Sequence, residues 1–460
     1  MMNFPCTAVI LAAGKGTRMK STLPKVLHKI GGKAMVQHVL DVATGAGATN
    51  NIVVIGFGAA EVQKALEGQA SFVIQHQQLG TGHAVLQAAP LLTAEAGTVM
   101  VLCGDTPLLT QSSLTKLLAS HREQTAQATV LTAVMPDATG YGRIVRNAAG
   151  QVVKIVEQKD ATAAELQINE VNTGIYCFDQ QTLLDALQQI NCDNAQGEYY
   201  LTDVIAILAC DSQKIGAVVA VDYRETLGIN SRSQLAEAEL LLRQRKLVEL
   251  MDLGVTIMDL NSTFIDQQVV IGSDTVIYPF TWIEGSTEIG KNCEIGPSSR
   301  IQNSKIGNSV TLHFTYAHDC VVDDNASVGP YVQLRPNTHL SAGVKVGNFV
   351  EVKNSIIGKG SKVPHLSYIG DTDMGERVNI GSGTITVNYD GVHKHRTTIE
   401  DDAFIGCNTN LVAPVVVAQG AYVAAGSTIT KNVPAKSLGV ARARQSNFEG
   451  WVDKTKNKRK

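Results

Sequence analysis

A glycine-bearing turn near the start of the chain, surrounded by cations, is the first stretch suited to chemistry. Ala12–Met19 (AAGKGTRM) follows the apolar run Thr7–Leu11, which predicts a buried strand. No acidic residue precedes Asp41, and that span holds six cations: Lys15, Arg18, Lys20, Lys25, Lys29 and Lys33. Glycines let backbone N–H groups approach phosphate oxygens, and cations offset their charge. The stretch therefore predicts a site for a phosphate-rich ligand; the alternative is a solvated basic surface.

Other residues narrow the chemistry. The turn matches neither G-x-G-x-x-G nor G-x-x-x-x-G-K-[ST], which counts against a nicotinamide-type Rossmann site and a Walker ATPase. Asp105 follows the apolar run Val99–Leu102, where a carboxylate could hold Mg²⁺ beside a phosphate. The alternative for Asp105 is a helix cap. His393 and His395 resemble a metal pair, but we interpret them as exposed loop histidines.

The first half of the chain alternates apolar runs with helical patterns. The predicted strands are Thr7–Leu11, Ile52–Ile55, Phe72–Ile74, Val99–Leu102, Thr129–Val134 and Ile175–Phe178. The predicted helices include Ala59–Leu66, Gly82–Ala89 and Ser112–Ser120. This alternation indicates an α/β fold with a mostly parallel sheet and helices on both faces. Ligands of such folds bind at the carboxyl ends of the strands.

The second half carries a six-residue period. Isoleucine recurs at every sixth position: Ile265, Ile271, Ile277, Ile283, Ile289, Ile295 and Ile301. Aliphatic residues continue the pattern: Val328, Leu334, Leu340, Val346, Val352, Val363, Ile369, Ile399, Ile405, Leu411, Val417, Val423 and Ile429. This period predicts a β-helix with a triangular coil, in which the repeated side chain points inward. Thr386–Thr398 interrupts it as an inserted loop, which is either a site of function or a surface excursion without a role.

Length and composition bound the function class. A chain of 460 residues predicts two or more domains, and the net charge of −3 implies no nucleic acid partner. The eight cysteines are scattered without a C-x-x-C pair, which is typical of a reducing cytoplasm. Met1–Leu11 lacks the basic region of a signal peptide, and no apolar stretch predicts a transmembrane segment.

The predicted domain boundaries follow from these patterns. Residues 1–230 form the α/β domain, 231–252 form a helical linker, and 253–460 form the β-helix with a C-terminal tail. Ser231–Asp252 reads as one long helix that Ser231 or Ser233 could cap. The basic run Lys454–Lys460 is typical of a disordered, solvated end.

Several separate motifs give the chain a family resemblance. They are Leu11–Met19, Leu23–Lys25, Gln78–Ala84, Gly140–Ile144, Glu157–Asp160, Asn172–Gly174 and Gly197–Asp203. These motifs resemble the sugar-phosphate nucleotidyltransferases. With the hexapeptide half, the chain from Val9 to Trp451 resembles the bacterial bifunctional N-acetylglucosamine-1-phosphate uridyltransferase / glucosamine-1-phosphate N-acetyltransferase family.

The resemblance implies a Rossmann-like nucleotidyltransferase domain and a left-handed parallel β-helix of hexapeptide repeats. It also implies two reactions: acetylation of glucosamine 1-phosphate by acetyl-CoA, then UMP transfer from UTP to N-acetylglucosamine 1-phosphate. The product, UDP-N-acetylglucosamine, is a precursor of peptidoglycan and lipopolysaccharide. Related β-helices pack about a three-fold axis and share acyl-transfer sites between chains, so a homotrimer is expected.

The resemblance further implies roles for residues of the first domain. Arg18 and Lys25 are catalytic cations, and Asp105 and Asn230 hold Mg²⁺. The residues implied to bind UTP or the UDP-sugar are Leu11, Ala12, Ala13, Gly14, Lys25, Gln75, Gly80, Thr81, Cys103, Gly104, Asp105, Gly142, Glu157, Asn172 and Asn230. Cys103 departs from the family, which often has tyrosine at this position.

In the second domain the resemblance implies that His365 is the general base, with Glu351 as the residue that orients it. The alternative for His365 is a packed or surface histidine. The residues implied to bind the sugar phosphate are Arg335, Lys353, Tyr368 and Asn379. Those implied to bind acetyl-CoA are Ser382, Asn388, Tyr389, Cys407, Ala425 and Arg442. Cys407 stands where the family usually has serine.

Two other functions compete with the bifunctional enzyme. One is a nucleotidyltransferase whose β-helix serves only oligomerisation or regulation. The other is a binding scaffold without catalysis. The set Arg335, Lys353, His365, Tyr368, Asn388 and Tyr389 distinguishes them, because a purely structural solenoid would need none of these residues.

Overall fold

The computed structural model describes residues 5–92 and 97–457. The chain divides into two compact units between Leu242 and Arg243. Among the described residues, no helix is long and apolar enough to cross a membrane.

The first unit is built on a nine-stranded sheet with the strand order β11-β7-β10-β6-β1-β4-β5, to which the hairpin β8–β9 is added at β10. The strands of the unit are β1 (Cys6–Ala12), β2 (Lys29–Ile30), β3 (Lys33–Ala34), β4 (Asn50–Ile55), β5 (Ser71–Ile74), β6 (Thr98–Cys103), β7 (Ala128–Val134), β8 (Arg143–Arg146), β9 (Val152–Val156), β10 (Glu170–Asp179) and β11 (Ile215–Val219). Strand β10 runs antiparallel to both of its neighbours in this order, β6 and β7. The other neighbours in the order pair in parallel, as predicted.

Helices cover both faces of this sheet. The helices of the unit are α1 (Met35–Gly45), α2 (Ala59–Ala65), α3 (Thr81–Gln87), α4 (Gln111–Glu123), α5 (Gln180–Leu187), α6 (Asp203–Cys210) and the start of α7 (Arg232–Asp252). Short 3₁₀ helices are Thr17–Met19, Lys25–Leu27, Ala89–Leu91, Glu165–Gln167 and Tyr223–Thr226. Side chains of β1 alternate between two cores: Ala8 and Ile10 pack with α1, α2 and α4, whereas Val9 packs with α3, α5 and α6.

The second unit is a solenoid of short parallel strands in three sheets, here called the first, second and third faces. The first face comprises Thr256–Ile257, Val276–Ile277, Glu294–Ile295, Thr311–Leu312, Ser327–Val328, Lys345–Asn348, Lys362–His365, Asn379–Ile380, Phe404–Ile405, Tyr422–Val423 and Leu438–Gly439. The second face comprises Thr263–Ile265, Thr281–Glu284, Arg300–Gln302, Thr315–His318, Val332–Leu334, Glu351–Lys353, Tyr368–Gly370, Ile385–Val387, Asn410–Val412 and Thr428–Ile429. The third face comprises Val270–Ile271, Glu288–Ile289, Lys305–Ile306, Val321–Val322, His339–Leu340, Ile356–Ile357, Thr372–Met374, Thr397–Ile399 and Val415–Val417.

The six-residue period places one apolar side chain from each face in the solenoid core. None of the seven isoleucines from Ile265 to Ile301 is more than 4% exposed, so the predicted inward column is confirmed. The insertion is shorter than predicted, because Thr386 and Thr397–Ile399 still belong to strands. Only the residues from 388 to 396 leave the coil.

Helix α7 contributes to both units. Ala238 and Leu242 pack with the core of the first unit, and Leu247 and Leu250 pack with the isoleucines of the second. Its N-terminus is capped by Ser231, whose Oγ accepts a hydrogen bond from the backbone N–H of Gln234 (3.2 Å). At the end of the chain, the prediction of a disordered tail is wrong for residues 454–457, which lie in α8 (Trp451–Asn457); residues 458–460 lie outside the described part.

Candidate functional sites

The glycine turn folds Lys25 back against the end of β1. Gly16 has a φ of 59°, and an added Cβ would lie 2.5 Å from the Cβ of Lys25. Only glycine fits this combination of left-handed backbone and close approach. The turn thereby brings a lysine ammonium to the carboxyl end of the parallel strands, where ligands of such sheets bind.

Lys25 bridges both predicted metal-binding residues. Its Nζ donates to Asp105 Oδ2 (2.5 Å) and to Asn230 Oδ1 (3.0 Å). The side chains of Lys25 and Asp105 are only 13% and 18% exposed, so the pair is shielded from water. A carboxylate and an amide oxygen, contributed by distant parts of the chain, thus converge on one cationic group.

The backbone explains this convergence. The N–H of Gly104 donates to the carbonyl of Leu11 (2.9 Å), which holds the end of β6 beside the glycine turn. The N–H of Ile229 donates to the carbonyl of Asp105 (2.9 Å), which places Asn230 next to the same strand end. Asp105 and Asn230 are far apart in the sequence, but a backbone hydrogen bond joins the loops that carry them.

A cavity of about 290 Å³ opens over these residues. It is lined by Arg18, Cys103, Asp105, Thr106, Thr139, Gly140, Tyr141, Thr173, Thr226, Gly228, Asn230 and Gln234. Burial and the charge of Asp105 raise the pKa of the Cys103 thiol to about 12, and its Sγ lies 3.6 Å from the carbonyl of Gly174. The raised pKa keeps the Cys103 thiol neutral in the wall of the cavity.

Three of the residues implied to bind the UDP-sugar, Gly142, Glu157 and Asn172, lie in or beside strands β8–β10. Asn172 donates its N–H to the carbonyl of Gly142 (2.9 Å). Burial raises the pKa of Glu157, although Thr202 Oγ1 donates to its Oε1 (3.3 Å). The half-buried carboxyl of Glu157 and the amide of Asn172 supply the donors and acceptors that sugar hydroxyls require.

Gln75, Gly80 and Thr81 form one bonded segment. The Gln75 side chain, which is 3% exposed, donates from Nε2 to the carbonyl of Gly80 (3.1 Å) and lies 3.0 Å from His83 Nδ1. Gly80 has a φ of 116°, and an added Cβ would lie 2.5 Å from the carbonyl oxygen of Tyr199. Thr81 Oγ1 accepts from the N–H of Leu201 (3.1 Å), so the protein's own hydrogen bonds hold the segment in place.

Eight of the twelve residues that line the cavity over Asp105 were not assigned from the sequence, among them Tyr141 and Gln234. Tyr141 has its pKa raised by burial and by Asp105, and it belongs to the recognised motif Gly140–Ile144. Gln234 Oε1 accepts the N–H of Asn230 (2.8 Å). The spacing Ser231-x-x-Gln234 is that of a capping box, and this signal could have revealed Gln234.

In the second unit, four predicted residues occupy equivalent positions of successive coils. The strand pairing aligns His365, Ser382, Cys407 and Ala425 at the end of the first face. Neighbouring coils lie about 4.8 Å apart, so these residues form a continuous strip. Arg442 extends the strip, because its Nη1 donates to the carbonyl of Ala425 (2.9 Å).

His365 is oriented by a different residue from the one predicted. Its Nδ1 lies 2.6 Å from Asn348 Oδ1, on the adjacent strand of the first face. Glu351 instead accepts a hydrogen bond from Arg335 Nη1 (2.7 Å). The prediction that Glu351 orients His365 is therefore wrong within this chain, because Glu351 lies on the second face, beside Tyr368.

A cationic corner lies at the end of the second face. Arg335 and Lys353 stand on successive coils there, and Lys353 lowers the pKa of the neighbouring Lys394 from the inserted loop. Asp371 sits among them; burial would raise its pKa, but hydrogen bonds from Asn354 and Asn388 outweigh this and lower it. The corner combines several cations in a position suited to a phosphate.

Other predicted residues are spread over different surfaces. Asn388 contacts Asp371 and lies 3.5 Å from the hydroxyl of Tyr368, so it joins the cationic corner. Tyr389 is 57% exposed on the inserted loop. Asn379 lies on the first face, whereas Tyr368 lies on the second, so one chain does not gather the whole sugar-phosphate set.

The histidines of the inserted loop behave as structural residues. His395 Nε2 lies 2.7 Å from Asp390 Oδ2. The other carboxylate oxygen of Asp390, Oδ1, accepts hydrogen bonds from the backbone N–H groups of Val392 and His393. Across residues 5–92 and 97–457 no group of three or more His, Cys, Asp or Glu side chains could hold a metal. His393 is exposed, and His395 is half-buried beside Asp390.

Both units match families of known proteins. The nucleotidyl transferase family matches residues 7–251, and the bacterial transferase hexapeptide family matches residues 268–303. The chain is 54% identical over 453 residues to the bifunctional protein GlmU of Geobacillus thermodenitrificans, covering 98% of this chain and 99% of that protein. It is 56% identical over 449 residues to the bifunctional protein GlmU of Heliobacterium modesticaldum, covering 97% of each.

These findings define the class first: the protein is a transferase that joins a nucleotidyltransferase domain to a left-handed β-helix of hexapeptide repeats. The fold predicted from the sequence is confirmed. The identity over almost the whole length then shows the family. The chain belongs to the bifunctional GlmU proteins.

Proposed function

We propose that the first unit transfers UMP from UTP to N-acetylglucosamine 1-phosphate and that the second unit acetylates glucosamine 1-phosphate with acetyl-CoA. The observation that carries this proposal is that each unit gathers its own set of reactive residues. Lys25 bridges Asp105 and Asn230 in the first unit. In the second unit, His365 is the first of four candidate residues that lie at equivalent positions of successive coils.

The donor set around Lys25 fits Mg²⁺. A carboxylate and an amide oxygen converge on one position that already accommodates a cationic group. Mg²⁺ in phosphoryl-transfer sites takes one or two such ligands and completes its shell with water and substrate phosphates. Asp105 and Asn230 would hold the ion, which would neutralise phosphate charge during the reaction.

For uridylyl transfer, the sugar 1-phosphate oxygen attacks the α-phosphorus of UTP. A new P–O bond forms, and the bond to pyrophosphate breaks. Two anions must meet, so catalysis depends on positioning and charge neutralisation. Arg18, which lines the cavity, and Lys25, which is largely buried beside it, supply the cations. Glu157 and Asn172 would hold the sugar by its hydroxyl and acetamido groups.

For acetyl transfer, the glucosamine amine attacks the thioester carbon, and the C–S bond breaks to release coenzyme A. Because Asn348 Oδ1 accepts a hydrogen bond from Nδ1 of His365, the neutral ring carries its hydrogen on Nδ1. Nε2 is then the basic nitrogen and can take the proton from the attacking amine. The strip of Ser382, Cys407 and Ala425 would hold acetyl-CoA, and Arg335 with Lys353 would bind the sugar phosphate.

We further propose a homotrimer built through an apolar corner between the first and second faces. Its members are Phe280, Phe314, Tyr331, Phe349 and Leu366. All five have positive φ values of 45–59°, and each is at least 36% exposed in the single chain. Left-handed backbone costs about 1–2 kcal/mol per non-glycine residue, and exposed apolar strips mark interfaces. A neighbouring chain packed at this corner would also bring the first face of one chain, which carries Asn379, towards the second face of the other, which carries Tyr368.

Tyr331→Asp is expected to convert the trimer to monomers, because it places a charge in the stacked Tyr331–Phe349 pair (ring centroids 5.3 Å apart). Acetyl transfer should be lost with the trimer, while uridylylation persists. Sedimentation velocity measures the change. Val270→Asp, an exposed apolar residue of the third face, is the matched control and should remain trimeric. A wild-type protein that sediments as a monomer at working concentration would refute the proposal. A truncated chain that ends after about Asp252 lacks the β-helix and should not trimerise.

Cys407→Ser is expected to keep or raise the acetylation rate and to abolish inactivation by a small alkylating reagent. The exposed Cys407 thiol lies in the coenzyme strip, so acetyl-CoA should protect the wild type. A serine hydroxyl is also a better donor and acceptor than a thiol. The alternative is a tolerated exchange in a small niche. If mass spectrometry shows Cys407 alkylated and acetyl transfer unchanged, the residue is not at the site.

A single assay tests the whole proposal. The protein is incubated with glucosamine 1-phosphate, acetyl-CoA, UTP and Mg²⁺, while free thiol and pyrophosphate are followed together. Release of both products supports two activities. Pyrophosphate release on addition of UTP and N-acetylglucosamine 1-phosphate, without thiol release, supports a nucleotidyltransferase with a structural β-helix.

The cytoplasm is the proposed location of the protein, and its eight free cysteines support this proposal.

A further inference from the structure

A buried carboxylate outside the cavity lining connects the two loops that carry Asp105 and Asn230. Glu225 is 3% exposed. Its Oε2 accepts a hydrogen bond from Thr110 Oγ1 (2.7 Å), and its Oε1 accepts one from Ser113 Oγ (2.6 Å). Both oxygens are thus committed to hydroxyl donors at the N-terminus of α4.

The positions of these groups along the chain matter. Thr110 follows Asp105 by five residues, and Glu225 precedes Asn230 by five residues. A second bond, from the N–H of Ile229 to the carbonyl of Asp105 (2.9 Å), joins the same two segments next to the cavity. The two links close a ring of backbone that has Asp105 and Asn230 at one end and Glu225 at the other.

The surroundings make this ring stiff. Leu108 and Ile229, one from each segment, are each 1% exposed and belong to the same apolar core cluster. Thr110 caps α4 by accepting the N–H of Ser113 (3.2 Å), and the helix N-terminus favours the negative charge of Glu225. A buried carboxylate is costly without such partners, so its presence here requires an explanation.

We propose that Glu225 is a positioning residue that holds Asp105 and Asn230 at the separation required for the uridylyl-transfer cation. The proposal rests on the function proposed above. Glu225 acts through the two segments, since within the described part of the chain the hydrogen bonds of its carboxylate go to Thr110 and Ser113. Residues that orient metal ligands typically change metal affinity or activity by about 10–100-fold when removed.

Glu225→Ala is expected to raise the Mg²⁺ concentration for half-maximal pyrophosphate release by about 10-fold. Mn²⁺ binding, followed as loss of the free Mn²⁺ electron paramagnetic resonance signal, should weaken in parallel. Acetyl transfer by the same full-length protein should stay at the wild-type rate. Glu225→Gln should restore most of the Mg²⁺ affinity, because its amide accepts from one hydroxyl and donates to the other.

Asp179→Ala is the matched control. Asp179 caps α5 and accepts from Thr182 Oγ1 (2.8 Å), but it joins neither of the two segments. It should lower thermal stability without changing the Mg²⁺ requirement. If Glu225→Ala fails to fold, Ser113→Ala removes one of the two bonds and should give a smaller shift in the same direction.

The outcomes separate the two levels of the proposal. An unchanged Mg²⁺ requirement and Mn²⁺ affinity in Glu225→Ala, with both weakened in Asp105→Ala, would overturn the positioning role alone. The same shift in Asp179→Ala would reduce Glu225 to a general stabilising residue and would also overturn it. If Asp105→Ala leaves metal binding unchanged as well, the proposed metal site itself fails.

Discussion

Asp105→Ala is expected to abolish pyrophosphate release, a loss of about 10²-fold or more, and to leave acetyl transfer near the wild-type rate. The carboxylate of Asp105 accepts a hydrogen bond from Lys25 Nζ (2.5 Å). Together with Asn230 Oδ1 it supplies the oxygen ligands proposed for Mg²⁺. Its removal leaves Lys25 with Asn230 alone and takes away the negative charge that would attract Mg²⁺. The selectivity follows because the second unit has a separate site, built on the β-helix.

Both products can be followed in one reaction, so the acetyl-transfer rate serves as an internal measure of correct folding. Asp41→Ala is the external control, because Asp41 forms an exposed pair with Lys33 (2.8 Å) in the same unit. Exposed pairs contribute little to stability, and both activities should persist. Equal loss of both activities in a folded Asp105→Ala protein would contradict the assignment of two sites.

Periodicity predicted the fold because burial imposes it. Each coil of the solenoid must place an aliphatic side chain inward, and Ile277, Ile283 and Ile295 are completely buried as a result. In the first unit the central strands are apolar on both sides, so β1, β4 and β6 were recognisable. The hairpin β8–β9 was not predicted, because neither Arg143–Arg146 nor Val152–Val156 contains an apolar run longer than two residues.

The candidate sites were less accessible to this reasoning. Asp105 and Asn230 meet through long-range backbone bonds, which no local pattern encodes. The place of Asp105 after an apolar run suggested a Mg²⁺ ligand, and the resemblance supplied Asn230, but Glu351 was expected as the partner of His365. The strand register decides that question, because Asn348 and His365 are direct neighbours on the first face whereas Glu351 is opposite Tyr368 on the second.

His365→Ala is expected to reduce thiol release from acetyl-CoA by about 10²–10⁴-fold and to leave uridylylation unchanged. The imidazole is the candidate base, and Asn348 holds its Nδ1 at 2.6 Å so that Nε2 is available. His339→Ala is the matched control: His339 also pairs through its ring with one side chain, Asp323 (2.9 Å), but it lies on the third face. Wild-type thiol release from the His365 variant would refute the assignment.

The orientation of the ring gives this prediction a second test. Asn348→Ala should lower thiol release by a smaller factor than His365→Ala, because the base remains but its tautomer and direction are no longer held. Glu351→Gln should instead raise KM for glucosamine 1-phosphate, since Glu351 pairs with the candidate phosphate ligand Arg335 (2.7 Å). If Glu351→Gln reproduced the loss seen in His365→Ala while Asn348→Ala had no effect, the base would be oriented across the proposed interface between chains. The exposed position of His365, next to Leu366 of the apolar corner, is where such a contact would form.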